Sequence, residues 1–249
     1  MNHLHKYPRT QHIQGSRLQP GDEDLEAVPF ARIAGRHLVI EEKMDGANCG
    51  ISFAADGTLQ LQSRGHFLTG GPREKHFARL KQWAATHQAL LWDCLGSRNV
   101  LYGEWLFAKH TVFYDDLPHY LMEFDVLNTA AGVFLDTPSR RALLQKVPLQ
   151  PVLVLHAGPL ERVEQLAELI GPSRFIRPGH CDRLRGEAER LGLDTERILR
   201  ETDPSGVMEG LYIKVEEGGA VVERYKFVRA SFVAAMTQAE GHWLNRPIV

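Results

Sequence analysis

The sequence has few cysteines, no long apolar run and no large excess of one charge, and each absence excludes a class of protein. Cys49, Cys94 and Cys181 are odd in number and far apart, so we expect reduced thiols in a cytoplasmic protein and no disulfide framework or zinc motif. No run of about 18 apolar residues is present, which predicts no membrane span. A formal net charge of −2 excludes a uniformly basic surface but leaves room for a local basic groove.

Sequence motifs that identify nucleotide or metal sites by spacing are also missing. There is no GxxxxGK[ST], no GxGxxG after a predicted strand and no HExxH. The stretch LTGGPR at 68–73 is too common a pattern to assign a function. The twelve histidines are scattered, so we expect each to be structural or solvated.

Hydrophobic patterning predicts an α+β fold with mainly antiparallel sheets flanked by helices. A strand is predicted from His37, and residues 48–63 form a predicted hairpin that turns at Asp56-Gly57. Further strands are predicted at 99–107, 120–128, 152–156, 210–217 and 220–229, the last two joined by a Gly218-Gly219 turn. Helices are predicted over 73–95, through most of a segment at about 138–204, and from Ser231 onward. We expect one domain over 1–249.

Charged residues recur on these predicted strands, where an isolated charge is costly to bury. For any single residue, a solvent-facing position on an edge strand is an adequate explanation. Because several strands make the same exception, a shared polar cleft between them becomes the better interpretation. The residues are Lys43, Asp45, Glu104, Glu209 and Lys226.

Lys43 is the candidate for reactivity, since it lies in EEKMDGAN beside three acids. A lysine has an ordinary pKa of about 10.4 and becomes a nucleophile near neutral pH only if that pKa falls by several units. Desolvation, a nearby cation or bound Mg²⁺ could lower it, whereas Asp45 and Glu209 alone would raise it. Those acids could hold the metal, and this combination suits attack on phosphorus. Nearby positive charge could come from Lys214, Arg224 and Lys226.

Six short motifs resemble, in the same order, those of the lysine-adenylating nucleotidyltransferases, which include ATP-dependent ligases and mRNA capping enzymes. Asn48 stands where DNA ligases and capping enzymes usually carry arginine, and this is similar to the phage-type RNA ligases that seal nicks in duplex RNA. KYPRTQHIQGS at 6–16 also resembles the N-terminal segment of bacterial members of that group. The motifs are KMDG at 43–46, SRG at 63–65, YGEW at 102–105, MEFDV at 122–126, MEGLYIK at 208–214 and RYKF at 224–227.

The resemblance implies an adenylyltransferase domain with ATP in a central cleft. Lys43 would attack the α-phosphorus of ATP, release pyrophosphate and carry AMP. AMP would then pass to an RNA 5′-phosphate, and a 3′-OH would expel it. The implied catalytic residues are Lys43, Asp45, Glu209 and Lys226. The implied nucleotide-binding residues are Glu42, Lys43, Asn48, Arg64, Glu104, Phe124, Arg224 and Lys226.

The same resemblance implies individual roles. Asp45 and Glu209 would engage Mg²⁺ or Mn²⁺, mostly through water. Glu42 would meet adenine and Phe124 would stack on it, while Lys226 would neutralise the α-phosphate. Arg64 and Glu104 would hold the ribose or the RNA 5′-phosphate, and Asn48 would assist later steps at the RNA end.

The sequence departs from the family pattern at two places. Arg224 replaces the first lysine of the usual KxK motif. The positive charge is kept, but a planar guanidinium group replaces a compact ammonium group. Only 20 residues follow Arg229, so we expect no OB or other C-terminal domain. We therefore expect that RNA is bound weakly or that a partner contributes to RNA binding.

The resulting hypothesis is an ATP-dependent RNA ligase acting in RNA repair on a nicked duplex, beside a separate end-healing kinase or phosphatase. Three alternatives stay open: a DNA ligase-like enzyme, a non-catalytic module that binds nucleotide or RNA ends, and a purely structural role. The cations expected to contact RNA are Lys6, Arg9, Arg64, Lys109, Lys214 and Arg229.

Overall fold

Eleven strands hydrogen-bond into one sheet in the computed structural model, which describes residues 3–18, 21–22 and 24–237. The strands are β1 (Gln11–His12), β2 (Leu38–Lys43), β3 (Ala47–Phe53), β4 (Leu59–Ser63), β5 (Asn99–Trp105), β6 (Leu121–Asn128), β7 (Val133–Leu135), β8 (Gln150–Pro151), β9 (Val154–Gly158), β10 (Gly210–Glu217) and β11 (Ala220–Val228). The helices are α1 (Ala78–Thr86), α2 (Gln88–Leu95), α3 (Thr137–Leu144), α4 (Glu164–Glu168), α5 (His180–Arg190), α6 (Thr195–Arg200) and α7 (Ala230–Thr237), with 3₁₀ turns at Phe30–Arg32 and Pro72–Phe77.

The strand order is β4-β3-β5-β6-β7-β11-β10-β2-β9, and all these neighbours are antiparallel. Two short strands lie off this path, with β1 parallel to β11 and β8 parallel to β6. The α+β class and the antiparallel arrangement predicted from the sequence are therefore confirmed. None of the helices in the described part of the chain is both long and apolar enough to cross a membrane.

Two separate apolar cores divide the sheet into halves. The first lies between strands β3 to β6 and helices α1 to α3, and the second lies under β2, β10 and β11. Residues 44–46 connect β2 in one half to β3 in the other, so the KMDG motif lies where the chain crosses between the cores. The first core includes Ile51, Leu80, Leu91, Trp105 and Leu144; the second includes Ile13, Phe30, Ile40, Leu211 and Ile213.

Most predicted elements are present with shifted ends. The β3–β4 hairpin and the Gly218-Gly219 turn are confirmed. The helix expected over 73–95 is instead a 3₁₀ turn followed by two helices that meet at His87. The strand expected at 152–156 begins two residues later, as β9. The short strands β1, β7 and β8 were not predicted, because two or three residues carry no readable alternation. The three cysteines form no disulfide.

A buried ion network joins helix α3 to three strands behind the junction of the two halves. Arg140 has no exposed surface and donates to Glu41 at 2.7 Å and to Glu123 at 2.9 Å. Lys214, also buried, lies 2.9 Å from Glu41 and 3.0 Å from Asp125. Buried charges are tolerated only when they are paired in this way, so the network fixes how α3, β2, β6 and β10 meet.

Local sequence places Arg140 for this contact. Helix α3 begins at the cap residue Asp136, whose carboxylate accepts the N–H of Ser139 at 3.0 Å. Pro138 lies in the first turn, where its missing N–H costs nothing. The start of the helix is thus fixed, and Arg140 follows on the face that packs inward.

Replacing Arg140 by alanine is expected to lower the free energy of unfolding by about 3–5 kcal/mol, because it leaves buried carboxylates without their partner. The exposed neighbour Arg141 on the same helix is the matched control, and Arg141→Ala should change stability by less than about 0.5 kcal/mol. Urea denaturation of both variants measures the difference. Equal effects would show that the network adds nothing specific.

Candidate active site

The predicted site residues gather around one cleft of about 1010 Å³ at the junction of the two sheet halves. Seven of the eight predicted nucleotide-binding residues line it, although they are spread over 185 positions of the sequence. Because the strands that carry these residues are neighbours in the sheet, residues that are distant in sequence line the same cleft. The seven are Glu42, Lys43, Asn48, Arg64, Glu104, Phe124 and Lys226.

Lys43 lies at the end of β2, immediately before the crossing between the halves. Gly46 permits this crossing, because a Cβ there would lie 2.8 Å from the Trp105 carbonyl oxygen and 2.6 Å from a Leu106 methyl carbon. The motif glycine is therefore required by close approach to β5. It lets β3 begin directly beside Glu104.

Glu209 accepts a hydrogen bond from the Lys43 ammonium, with Nζ and Oε1 2.6 Å apart. The carboxylate is buried, whereas about a quarter of the lysine side chain remains exposed to the cleft (24%). Gly210 pairs with Lys43 across the sheet, and a Cβ on it would lie 2.0 Å from the Phe227 carbonyl oxygen. Only glycine allows β10 to enter here and present Glu209 to the lysine.

The electrostatics keep Lys43 protonated in the protein alone. Burial lowers the pKa of Lys43, but the carboxylates of Glu209, Glu104 and Asp45 more than offset this, so the net pKa is raised above its ordinary value. Nucleophilic attack needs the neutral amine. A positive charge that neutralises the surrounding acids is therefore required before Lys43 can react.

Two further carboxyl groups in the cleft titrate close to neutral pH. Burial raises the pKa of Glu104 to about 8, with Glu209 adding to the rise and Lys43 opposing it. Burial likewise raises the pKa of Glu42 to about 7, although the Ser173 hydroxyl donates to its Oε1 at 2.6 Å. Clusters of shifted carboxyl groups in a cleft are typical of functional sites.

Two acceptor atoms on the wall of the cleft are buried without a hydrogen-bond partner among the described residues. They are Oε2 of Glu42 and Oδ1 of Asn48. Unpaired buried acceptors are uncommon, and each marks a position where a ligand N–H or O–H can bind. Asn48 lies directly opposite Glu104 in the β3–β5 pairing. A ligand with donors at both places would satisfy these two atoms.

Aromatic and basic side chains complete the cleft. The Phe124 ring reaches the cleft from β6 and packs edge-on against Tyr7, with ring centroids 5.2 Å apart. Arg64 is exposed at the rim, in the turn after β4. Lys226 reaches the cleft from β11, and its ammonium donates to Asp22.

Three predicted site residues lie outside the cleft lining: Asp45, Glu209 and Arg224. Glu209 contacts Lys43, which does line it. Asp45 Oδ2 accepts the N–H groups of Thr111 at 2.7 Å and Val112 at 2.8 Å, so this carboxylate anchors the loop between β5 and β6. The Arg224 guanidinium stacks 3.7 Å from the centroid of the Phe134 ring, behind Tyr7. Metal contact by Asp45 and nucleotide contact by Arg224 stay predictions.

The acids around Lys43 fit a hydrated magnesium ion. Carboxylate oxygens are the hard donors that Mg²⁺ prefers, and Mg²⁺ usually keeps several waters while binding one or two carboxylates. Among the described residues, no group of three or more His, Cys, Asp or Glu side chains could form a fully protein-bound metal site. The donor set therefore matches an ion held by Glu209 and few other groups, with water completing its shell.

The prediction of RNA contact is wrong for three of the six cations. Lys109 is buried and donates to the carbonyl oxygens of His110 at 2.9 Å and Glu201 at 3.1 Å. Arg229 is nearly buried and binds Asp203, and Lys214 belongs to the ion network described above. Charge and closeness to a motif in the sequence do not reveal burial. The three exposed cations are Lys6, Arg9 and Arg64.

Sequence reasoning missed the residues before β2 that help to build the cleft. Tyr7, Pro8 and Thr10 line it, and the Tyr7 hydroxyl donates to Asp125 at 2.5 Å. Ser173, which binds Glu42, was also missed. Tyr7, Pro8 and Thr10 lie within KYPRTQHIQGS, but the resemblance implied no role for them. None of the four residues carries a charge that would have singled it out.

The chain belongs to the RNA ligase family, whose model matches residues 36–228. The solved structures it resembles include the RNA ligase of Naegleria gruberi with pyrophosphate, at 17% identity and a TM-score of 0.57, covering 94% of this chain and 58% of that one. Variants of that ligase were solved with ATP and manganese (14% identity, TM-score 0.56, 93% and 58% coverage) and with AMP and manganese (15% identity, TM-score 0.57, 94% and 59% coverage).

These likenesses confirm the fold, and the chain spans about three fifths of the length of the Naegleria chains (58%). No curated protein sequence matches this chain.

Glu42→Gln should make the protein more stable than wild type at neutral and alkaline pH. The folded-state pKa of Glu42 is about 7 against an ordinary value of 4.5, so between these values the folded protein holds a proton that the unfolded chain has released. This contribution therefore falls as pH rises from 4.5 to 7. Glutamine cannot ionise, and its amide oxygen still accepts the Ser173 hydrogen bond.

Urea midpoints of wild type and Glu42→Gln, measured at several pH values across this window, give the difference. It should be absent below pH 4.5 and largest above pH 7. Glu26→Gln, at an exposed position, is the control and should show no such trend. A constant difference between Glu42→Gln and wild type at every pH would contradict the burial argument.

Proposed function

We propose that the protein is an ATP-dependent RNA ligase that joins RNA 3′-OH and 5′-phosphate ends through a lysyl-AMP intermediate and acts in RNA repair. One observation carries this proposal: Lys43 opens into the cleft from the KMDG crossing, bound to Glu209 and surrounded by the residues of the other motifs. The proposed nucleotidyltransferase domain is the whole sheet with its helices, since both halves contribute to the cleft.

ATP would bind with its base in the part of the cleft lined by Glu42 and Phe124. The unpaired Oε2 of Glu42 can accept the adenine amino group, and the Phe124 ring offers a stacking surface. The cleft volume of about 1010 Å³ is ample for a nucleoside triphosphate. The α-phosphate would then lie between the ammonium groups of Lys43 and Lys226.

In the first step, the Lys43 ammonium loses a proton to solvent and the neutral amine attacks the α-phosphorus. The bond to pyrophosphate breaks, and Nζ releases a second proton to solvent as the N–P bond of lysyl-AMP forms. Mg²⁺ bound at Glu209 would supply the positive charge that favours the neutral amine and the departing pyrophosphate. Lys226 stabilises the negative charge on the α-phosphate oxygens. Glu209 would hold the Lys43 ammonium in the cleft until it loses its proton.

In the later steps, an RNA 5′-phosphate oxygen attacks the same phosphorus and Lys43 departs. A 3′-OH then attacks the activated RNA end, and AMP leaves. Arg64 at the rim is placed to hold the 5′-phosphate, and Asn48 with its unpaired Oδ1 is placed to accept a hydroxyl donor. The partners of this proposal are RNA ends in a nicked duplex, prepared by a separate end-healing kinase or phosphatase.

Incubation with α-³²P-labelled ATP and Mg²⁺ should leave label on the wild-type chain after denaturing electrophoresis. Lys43→Ala should reduce this label to background, because no other lysine lies at the KMDG crossing. Lys146→Ala, at an exposed position far from the cleft, is the control and should be labelled like wild type. ATP binding by the wild-type protein without any label would favour the non-catalytic binding module.

Nick sealing on matched RNA and DNA duplexes tests the choice of nucleic acid. We expect sealing of nicks with an RNA 3′-OH strand, since Asn48 presents a neutral amide where the DNA ligases and capping enzymes usually carry arginine. Products are measured on denaturing gels over time. Faster sealing of all-DNA nicks than of RNA nicks would replace this proposal by a DNA ligase.

A further inference from the structure

An N-terminal segment, comprising the described residues of 9–24, packs along β11 and reaches the proposed active site. Strand β1 pairs in parallel with β11, which places His12 opposite Lys226. The Ser16 hydroxyl accepts the N–H of Val228 at 2.9 Å and lies 2.7 Å from Nδ1 of His12. His12 has no exposed surface, so the segment is firmly seated at this point.

Asp22, at the far end of this segment, binds the lysine of the RYKF motif. Its Oδ2 accepts from Lys226 Nζ and lies 3.2 Å from His12 Nε2. Its Oδ1 accepts from Arg9 Nη2 at 3.0 Å, and Arg9 is itself held by Asp24 and the Gly21 carbonyl oxygen. Arg9 and His12, which lie outside the cleft lining, therefore help to position Asp22 beside Lys226.

The cleft contains two lysines, and each has its own carboxylate. Lys43 is bound to Glu209, and Lys226 is bound to Asp22. The charged and titratable groups that face Lys226 are Asp22, His12 on β1, Lys43 on β2 and Glu209 before β10. Burial lowers the pKa of Lys226 and Lys43 lowers it further, while Asp22 acts in the opposite direction. Burial opposes ionisation of Asp22, yet its bonds to Lys226 and Arg9 hold its pKa at about 2.

We propose that Asp22 is a positioning residue that keeps the Lys226 side chain charged and aimed at the α-phosphate of ATP, an inference that rests on the proposed function. A lysine ammonium has three N–H donors. When one Lys226 N–H group donates to Asp22, the other two can donate to phosphate oxygens. Without Asp22, the ammonium would lie in a partly buried site beside a second cation, which favours loss of its proton.

ATP binding to the full-length protein in EDTA, at about pH 7 and about pH 9.5, tests this inference without the chemical step. Isothermal titration calorimetry gives the Kd. For Asp22→Asn we expect ATP affinity at the higher pH to fall by roughly ten- to a hundredfold relative to wild type, because a charge-assisted hydrogen bond to phosphate is lost. At the lower pH the loss should be smaller.

Asp24→Asn is the matched control, since Asp24 binds the same Arg9 side chain but does not contact Lys226. It should bind ATP with the pH dependence of wild type. In a Lys226→Ala background, Asp22→Asn should have no further effect on ATP affinity or its pH dependence. Thermal unfolding of each variant shows whether the segment remains folded.

The outcomes separate the two proposals. If wild type binds no ATP, the proposed function is overturned and this inference with it. If wild type binds ATP while Asp22→Asn binds it equally well at both pH values, only the inference is overturned. A loss that Asp24→Asn reproduces, or that persists in the Lys226→Ala background, also overturns it, because the segment and not the charge at Lys226 would then be responsible.

Discussion

The hydrogen bond from the Lys43 ammonium to the Glu209 carboxylate lies at the centre of the molecule, and the surrounding structure makes this contact possible. It joins the end of β2 to the start of β10 at the point where the chain crosses from one half of the sheet to the other. Gly46, in the connection after β2, allows the close approach to β5, and Gly210 at the start of β10 allows the close approach to β11. The carboxylates of Glu209, Glu104 and Asp45 raise the pKa of Lys43, so the proposed attack by this lysine requires a further cation to neutralise them.

The cost of burying charge explains why the charged side chains buried near this contact are paired with opposite charges. Behind the cleft, Arg140 and Lys214 are fully enclosed by carboxylates on β2 and β6. Removing any partner would leave a charge without compensation in a medium where water cannot replace it. The network therefore fixes the strands that lie behind the cleft. Lys214 also donates to the carbonyl oxygen of Phe124, which connects the proposed adenine-stacking residue to the network.

The proposed active site also depends on residues that precede β2, to which the family resemblance implied no role: Tyr7 and the N-terminal segment. Tyr7 packs against Phe124 and binds Asp125, while Asp22 binds Lys226. Two residues proposed to bind ATP, Phe124 and Lys226, are thus both contacted by residues that precede β2.

The sequence by itself determined the family and the chemical character of the site. KMDG, YGEW and the other motifs are each only a few residues long, so they can be recognised without the fold. They contain a lysine beside carboxylates, which suits attack on a phosphorus atom. It also determined the β3–β4 hairpin and the β10–β11 turn, since alternation and turn residues act over a few positions.

Only the tertiary structure decided which charges face the cleft. Lys109, Lys214 and Arg229 carry the right charge for RNA, yet each is buried against acceptors that are distant in sequence. Asp45 turns to backbone N–H groups on the β5–β6 loop, and Asp22 meets Lys226 across 204 positions. The reason is physical: burial and pairing of a charge depend on its neighbours in space, and those neighbours are set by strand order and not by spacing along the chain.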